Sequence, residues 1–573
     1  MSSDIPLLKD TGRGFTIFYK GKHLYSPRKP YESAVDRVKR LSVPSDITGQ
    51  EKYKTLLAEK SLIFIPAIGL AYGFKELLEI LPAESHILCI EADQQLMALA
   101  FAQKAAVIPS DPRLTIVRTT DPAGAVKTLR DIGTDKFRRL IPLYLSGGFH
   151  LYRETYNNMQ KSLEDEIRRF WQNKMTLINM ADLWIKNLFE NLLSLPEARD
   201  IGTLKTAKAI LVIGAGPSLE KNIALLRDYR AGFILIAVDT VLPILLAQEI
   251  VPDYVFALEA QIANLQDFIP YAGDSISGIP LICDITSNPA VVRLFSPNVF
   301  FFSSHFFPLR LFRRLQENEL LPTPFPALGS VGVAAVYAAL NITSGPVLVA
   351  GLDFSFPCHK THARGSPANL AMLHRADRLT PVGLTSYEQV LSRPLLKLKG
   401  KGGGVVVTDL VLQSYSVQLK EHLGNLNRAY DLGRQGLPLG ARLIKNEKEL
   451  AEILKEPCKE NGQTGKDKLS AIKAFPASRI DHLLRGEIHR LEPVIEEIRA
   501  HLNHADVEDS REQENIMLLL EELDYLYLHF PELKMESNRP YLLRVLHSAA
   551  TCHKRLTNLL SRMPCNQGRT AGV

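Results

Sequence analysis

Residues 210–222 read ILVIGAGPSLEKN. An apolar run followed by two glycines that flank a single residue, then Pro217 and Ser218, is the pattern of a buried strand turning sharply into a helix. A helix start exposes unpaired backbone N–H groups and the positive end of the helix dipole. Gly214 and Gly216 lack side chains and would let a phosphate come close to those groups. Pro217 suits the first helical position, and Ser218 can turn its hydroxyl toward whatever occupies the turn. The dinucleotide fingerprint requires a third small residue where Leu219 stands, and Pro217 removes one N–H, so NAD binding is disfavoured. Taken alone, the turn is either a phosphate cradle or a bare packing corner.

The neighbouring sequence continues the plan. GFILIAVDT (232–240) is a second strand ending in Asp239, where an acid can hold a ribose hydroxyl. A helix at 241–250 leads to further strands at DYVFALEA (253–260), PLICDI (280–285) and VFFFSS (299–304). In PALGSVGVAAVYAALNITSGPVLVAGLDFS (326–355), Gly329 and Ser330 open a small-residue helix, and a strand then delivers Gly351 and Asp353. Ligands of open α/β sheets lie beyond the carboxyl ends of the strands. The two glycine turns, Asp239, Glu259 and Asp353 are therefore expected to converge on one crevice, which favours a single-nucleotide site. Strands alternating with helices predict an α/β protein with a doubly wound, Rossmann-like parallel sheet over 205–445.

An earlier stretch has the same character. SLIFIPAIGLAYGFKELLEIL (61–81) and HILCIEAD (86–93) form a strand–helix–strand unit with Glu91 closing its second strand, which sets a smaller Rossmann-like domain at 56–150. Before it lies a cap (1–55) with a short hairpin at 15–26 turning on Gly21, and after it a helical connector (151–204). A polar linker (446–468) leads to a helical C-terminal domain (469–573) with a frayed tail.

The loop FPCHKTHARGSP (356–367) carries His359, Lys360, His362 and Arg364. A histidine near neutral pKa suits a general base, and a neighbouring Lys or Arg suits a phosphate leaving group, so His362 with Lys360 and Arg364 is the catalytic candidate. A solvated basic loop is the alternative. His359 and His362 have no helix to put them on one face, so they are not read as a metal pair. KLKGKGGGVVVTDLVL (397–412) reads as a mobile loop before a strand or helix, closing on a substrate or standing as a surface hairpin.

Bulk composition excludes several classes. With 573 residues, 46% hydrophobic and 23% charged, the chain has an ordinary globular balance. At roughly 150 residues per domain it should hold about three or four units. The charge of +6 is the difference between 68 basic and 62 acidic residues and implies no nucleic acid. Six scattered cysteines without a CxxC pair imply neither a disulfide framework nor a zinc site, and make a cytoplasmic location the expectation. MSSDIPLLKD lacks a signal-peptide pattern, and the apolar stretch 233–251 is broken by Asp239, Pro243 and Gln248, so no membrane span is expected.

ILVIGAGPSLEKN, VDTVLPILLAQEIVPDYVFALEA, GSVGVAAVYAAL, GLDFS with KTHARG, and LPLGARLI, in that order, together resemble the motility-associated factor glycosyltransferases, which attach nonulosonic acids to flagellin. LYSPRKPYESA, IPAIGLAYGFKELLEI and CIEAD are similar to that family's amino-terminal domain, so the resemblance covers most of residues 15–445. The central part also resembles bacterial sialyltransferases that use CMP-activated sugars. That resemblance implies that Gly214, Gly216, Pro217 and Ser218 lie at the cytidine monophosphate with Asp239 nearby, and that Ser330 faces the donor sugar. Ala215 stands where those enzymes often have an asparagine. The implied activity is transfer of a pseudaminic or legionaminic type sugar from its CMP ester to Ser or Thr of flagellin. The GPSL turn resembles a 6-hydroxymethylpterin diphosphokinase family as well, which would imply a divalent metal held by Asp239, Glu259 and Asp353. A flagellin-binding factor without turnover is the non-enzymatic alternative.

Overall fold

The computed structural model describes residues 5–42, 60–103, 106–273, 276, 278–306, 308–424, 426–455, 475–503, 510–532 and 535–563. The chain divides into two compact units, Met1–Asn179 and Met180–Val573.

In the first unit, β1 (Leu7–Asp10), β2 (Phe15–Tyr19) and β3 (Lys22–His23) form an antiparallel sheet. Lys20 and Gly21, at φ 45° and 77°, are the two left-handed residues of the β2–β3 turn. Helix α1 (Pro30–Ser42) follows. Four parallel strands, β4 (Ser61–Pro66), β5 (His86–Glu91), β6 (Leu114–Arg118) and β7 (Arg139–Pro142), then pair in the order β6-β5-β4-β7. The connecting helices are α2 (Phe74–Ile80), α3 (Gln94–Ala102) and α4 (Pro122–Ile132), and the long α5 (Arg153–Asn191) begins after β7. Every residue of β4 is buried, as expected of a parallel strand covered on both faces.

The glycine turn after β4 is filled by the unit's own side chains. Tyr25 Oη accepts a hydrogen bond from Leu70 N at 2.8 Å, and Glu91 accepts from Ile68 N at 3.0 Å and from Asp93 N at 2.9 Å. Tyr156 Oη donates to the same carboxylate at 3.0 Å. Burial pushes the Glu91 carboxyl up to about 7. Glu91 thus works as a brace between turn, strand end and α5.

The second unit is built on one ten-stranded sheet. Its strands are β8 (Arg199–Asp200), β9 (Ile210–Ile213), β10 (Ile234–Val238), β11 (Tyr254–Ala257), β12 (Leu281–Asp284), β13 (Val299–His305), β14 (Pro324–Pro326) and β15 (Val347–Ala350), completed by β18 (Ala429–Asp431) and β19 (Arg442–Leu443). A separate antiparallel pair is made by β16 (Leu395–Lys399) and β17 (Val405–Asp409). The sheet order is β14-β13-β12-β11-β10-β9-β15-β18-β19, with β8 beside β13, and all pairings are parallel. The chain therefore steps outward from β9 to β13, then returns to place β15 on the other side of β9. That reversal puts the topological switch point between β9 and β15, where ligands of such sheets bind.

The helices of this unit are α6 (Ile223–Asp228), α7 (Leu242–Leu246), α8 (Pro289–Phe295), α9 (Arg310–Glu317), α10 (Val331–Ile342), α11 (Pro367–Arg375), α12 (Val382–Leu391), α13 (Leu410–Leu423) and α14 (Glu447–Lys455), then α15 (Ala477–Asn503), α16 (Ser510–Glu522) and α17 (Arg539–Arg562). Helix α10 packs on β9 and β10, and Gly332 makes room for Leu352 just past β15: a Cβ on Gly332 would stand 2.6 Å from Leu352 Cδ2. Among the described residues no helix is long and apolar enough to cross a membrane.

Three expectations are corrected. The GPSL turn does not open a regular helix. Pro217–Lys221 is a 3-10 turn, closed by Leu219 N to Gly216 O at 3.0 Å and Asn222 N to Leu219 O at 2.8 Å, before the six-residue α6. The glycine run at 397–412 is an ordered hairpin whose tip is anchored, as described below, and not a loose loop. The linker expected over 446–468 starts as α14, its remainder lying outside the described residues together with the expected frayed tail.

Candidate functional site

Backbone and side-chain hydrogen bonds close the switch point from inside. Gly214 N donates to Ala350 O at 2.9 Å and Gly216 N to Gly351 O at 2.8 Å. Ser218 gives Asp353 both its backbone N–H (2.8 Å) and its hydroxyl (2.5 Å). The glycines are needed because β15 comes this close: a Cβ on Gly216 would sit 2.5 Å from Gly351 O and 2.8 Å from Asp353 Oδ2. Gly351 itself lies at φ 65°. Ser218, expected to face an occupant, turns inward to cap on Asp353. Gly216→Ala should therefore destabilise the unit by about 1–3 kcal/mol through overpacking, read as a lowered denaturant midpoint.

Asp353 belongs to a larger buried cluster. Lys401, at the tip of the β16–β17 hairpin, binds Asp431 at the end of β18 at 2.6 Å, and the two side chains are 3% and 2% exposed. Lys401 N donates to Gly436 O at 2.9 Å, and Gly433 N to Asp431 Oδ1 at 2.8 Å. A Cβ on Gly436, at φ 97°, would strike Asp353 O at 2.3 Å. Burial pushes the Asp353 and Asp431 carboxyls up; the ammonium of Lys401 draws both back down. Sequence reading passed over Lys401 and Asp431. AYD before LGRQG repeats the strand–acid–glycine pattern of Asp239 and Asp353, and that was the available signal.

On the other side of β9, Asp239 is 4% exposed and accepts from Thr240 N and Asn264 Nδ2, both at 2.8 Å. Burial raises its carboxyl to about 6. Asp267 is raised to about 7 by burial and then by the charge of Asp239. Glu259 is exposed and accepts from Gln261 N at 3.1 Å. Asn187 and Asn191 of α5 hold the loops after β11 and β12 through Ala260, Thr286, Ile285 and Ser287 carbonyls. Asp239 and Asp353 share one edge of the sheet, but β9 stands between their strands, about 10 Å across two strand spacings. Asp239 bonds to Thr240 and Asn264, and Asp353 to Ser218, so the two acids share the edge without sharing partners. Among the described residues no group of three or more His, Cys, Asp or Glu is placed to hold a metal ion, so the arrangement does not fit an ion shared by Asp239, Glu259 and Asp353.

The second predicted helix start has no side-chain cap. Ser330 caps α10 without a side-chain bond, and the first intrahelical bond is Ala334 N to Ser330 O at 2.9 Å. The N–H groups of Val331, Gly332 and Val333 precede it. Gly329 is exposed and lies against Tyr415; a Cβ there would be 3.0 Å from the ring.

The His/Lys/Arg loop lies directly on the GAGP turn. Ala363 N donates to Ala215 O at 2.8 Å, while Glu220 of the same turn accepts from Arg364 N at 3.1 Å and Lys360 Nζ at 3.3 Å. Lys360 is thus paired, and Arg364 keeps its guanidinium exposed. His362 Nδ1 is buried with no partner among the described residues. Burial, then the charge of Arg393, holds this imidazole below the ordinary histidine range, so it is neutral at pH 7. Cys358 and His359 sit at φ 53° and 57°, a strained pair in the loop.

Fold and site together define a Rossmann-like α/β protein with a topological switch point between β9 and β15 and a helical C-terminal region. Comparison with known proteins gives that class a closer address, in the Maf/MptE-like group of folds. Residues 184–358 match the family model described as 6-hydroxymethylpterin diphosphokinase MptE-like. The MAf glycosyltransferase from Magnetospirillum magneticum AMB-1 superposes with a TM-score of 0.55 over 97% of this chain and 90% of that one, at 15% identity, a likeness of fold. An uncharacterized protein of Treponema pallidum (strain Nichols) is 28% identical over 550 residues, 92% of this chain and 90% of that protein. A second uncharacterized protein from the same organism is 30% identical over 104 residues, 17% of this chain and 48% of its own length.

Proposed function

We propose that the chain is a glycosyltransferase that moves a nonulosonic acid of pseudaminic or legionaminic type from its CMP ester to Ser or Thr hydroxyls of flagellin. The observation that carries this reading is the docking of the 356–367 loop on the GAGP turn through Ala363 N and Ala215 O, which supports the adjacent His362 as the base. The fold shared with a glycosyltransferase supports it.

In this reading the start of α10, with Gly329 and Ser330, receives the donor's phosphate, and Asp239 takes a ribose hydroxyl. Gly214, Gly216, Pro217 and Ser218 frame the crevice, the last through Asp353, and Gly351 shapes the β15 side. His362 accepts the acceptor hydroxyl's proton as its oxygen bonds to the anomeric carbon. The bond from that carbon to the phosphate oxygen breaks, and its electron pair leaves with CMP, whose charge Arg364 and Lys360 offset. Four free thiols among the described residues agree with a cytoplasmic site of action.

His362→Ala should lower the transfer rate by about 10²–10⁴ with donor affinity retained, measured by intact mass of flagellin and by calorimetric titration of CMP. Full transfer by the variant would remove His362 from the mechanism. The inward turn of Ser218 favours a second reading, a flagellin-binding factor without turnover. Flagellin that gains no mass in a host making CMP-nonulosonates, yet binds the chain, would decide for it.

A further inference from the structure

Beyond the crevice, the two helices after the His362 loop leave an apolar face without a partner. None of the residues of α11 is buried. Leu373 is 52% exposed, Leu379 78%, Leu391 51% and Tyr387 43%. Helices α11 and α12 pack on each other, and α12 is tied to the site loop: Ser386 Oγ donates to His359 O at 3.0 Å, and the Tyr387 and His359 rings meet edge-on at 5.1 Å. The face therefore begins where the catalytic loop ends.

Its charge is one-sided. Arg375 and Arg378 are exposed and make no ion pair among the described residues; the same holds for Arg364 before α11 and for Lys397 and Lys399 on β16, after α12 in the chain. The acids on these two helices and their connection are Asp377, which spends its carboxylate on Leu379 N and Thr380 N, both at 2.7 Å, and the exposed Glu388, so cations outnumber them. Large exposed apolar side chains rimmed by unpaired cations mark an interaction surface. Guanidinium groups in particular offer planar forks that match carboxylates.

We infer that the α11–α12 face is the docking surface for the polypeptide acceptor, and that it takes an acidic amphipathic helix of that protein. The inference rests on the transfer reading for what the partner does, and on the exposed leucines and unpaired arginines for what the partner is. Leu373, Leu379 and Tyr387 receive its apolar stripe, and Arg375 and Arg378 pair with its carboxylates. Docking there brings an adjoining hydroxyl-bearing segment to His362.

The test uses the full chain and two variants, Leu373→Ser with Leu379→Ser, and Arg375→Glu with Arg378→Glu. All four side chains are exposed, so both variants should keep the wild-type thermal midpoint. Flagellin affinity should fall at least about tenfold in each, and wild-type binding should weaken with salt while the charge variant loses that dependence. Hydrolysis of CMP-nonulosonate by water, followed as CMP release, should be unchanged in both. Unchanged flagellin affinity in both variants overturns the inference, as does a wild type that does not bind flagellin. Wild-type sedimentation with phosphatidylglycerol vesicles that both variants lose would make the face a membrane contact and also overturn it. Binding through this face without transfer would leave the docking surface standing and remove the transfer reading; normal transfer by both variants would do the reverse.

Discussion

Lys401→Met should cost the second unit about 3–5 kcal/mol and, on the proposed transfer reading, weaken CMP binding at the same time. The ammonium it removes is the partner of Asp431 at 2.6 Å, with both side chains buried. Without it Asp431 and Asp353 remain as two buried carboxyls, both already pushed up by burial, with no cation beside them. Breaking one side of a buried pair leaves the full desolvation cost of the other. The pH dependence follows from the direction of those shifts. Each carboxyl moves further above its unfolded value of about 3.9, so the folded variant binds more protons than the unfolded chain in the acid-to-neutral range. Stability lost by the variant is therefore greatest at high pH and recovers as pH falls below the raised folded values. Denaturant midpoints of variant and wild type should converge toward acid pH, and a constant gap would contradict the account. Adding Asp431→Asn should return part of the loss, because the unpaired charge is then gone. The effect reaches the crevice through Asp353, which alone holds both donors of Ser218.

How much of this was readable from the residues depended on whether a property is local. β9 through β13 are apolar runs of the right length, and covered parallel strands leave no other pattern. Gly21 and the paired residues around it similarly announce a hairpin. The direction of Ser218 is a different matter, since its partner Asp353 lies 135 positions away and no spacing in GPSL encodes it. A lysine among glycines, as at 400–404, reads as solvated. Lys401 is buried only because Asp431, 30 positions on, ends a strand beside it. The neighbours of Asp239 and Asp353 were not legible for a topological reason. Each residue does close a strand at the same edge, but which strands flank β9 is decided by the return crossing through α10, and strand sequences carry no record of their neighbours. The start of α10 at Ser330 was legible because a cap and its helix are contiguous.

Arg314→Leu should have an effect of similar size in a different place, about 3–5 kcal/mol, by releasing the helical region from the sheet. Arg314, on α9, makes a two-pronged contact with Glu487 of α15, Nε to Oε1 at 2.5 Å and Nη2 to Oε2 at 3.0 Å. Its Nη1 donates to Glu522 O at 2.9 Å, and Tyr525 Oη completes Glu487 at 3.1 Å. Glu487 is 0% exposed and Arg314 4%, so one guanidinium joins α9, α15 and the end of α16 in a dry site. Leucine in its place fills the stem volume but leaves a buried carboxylate held by Tyr525, with the Arg490 guanidinium 3.5 Å away. Unfolding should then lose its cooperativity, the helices parting first, so that circular dichroism and the fluorescence of the two tryptophans report different midpoints. Arg313→Leu on the next position makes the control. Its pairs with Glu317 and Glu522, at 3.6 and 3.9 Å, are exposed, and its loss should stay within about 0.5 kcal/mol. The combination Arg314→Leu with Glu487→Leu should recover most of the stability, because an apolar pair of similar volume carries no desolvation cost. A double variant as unstable as the single one would mean that shape, and not the unpaired carboxylate, holds this junction.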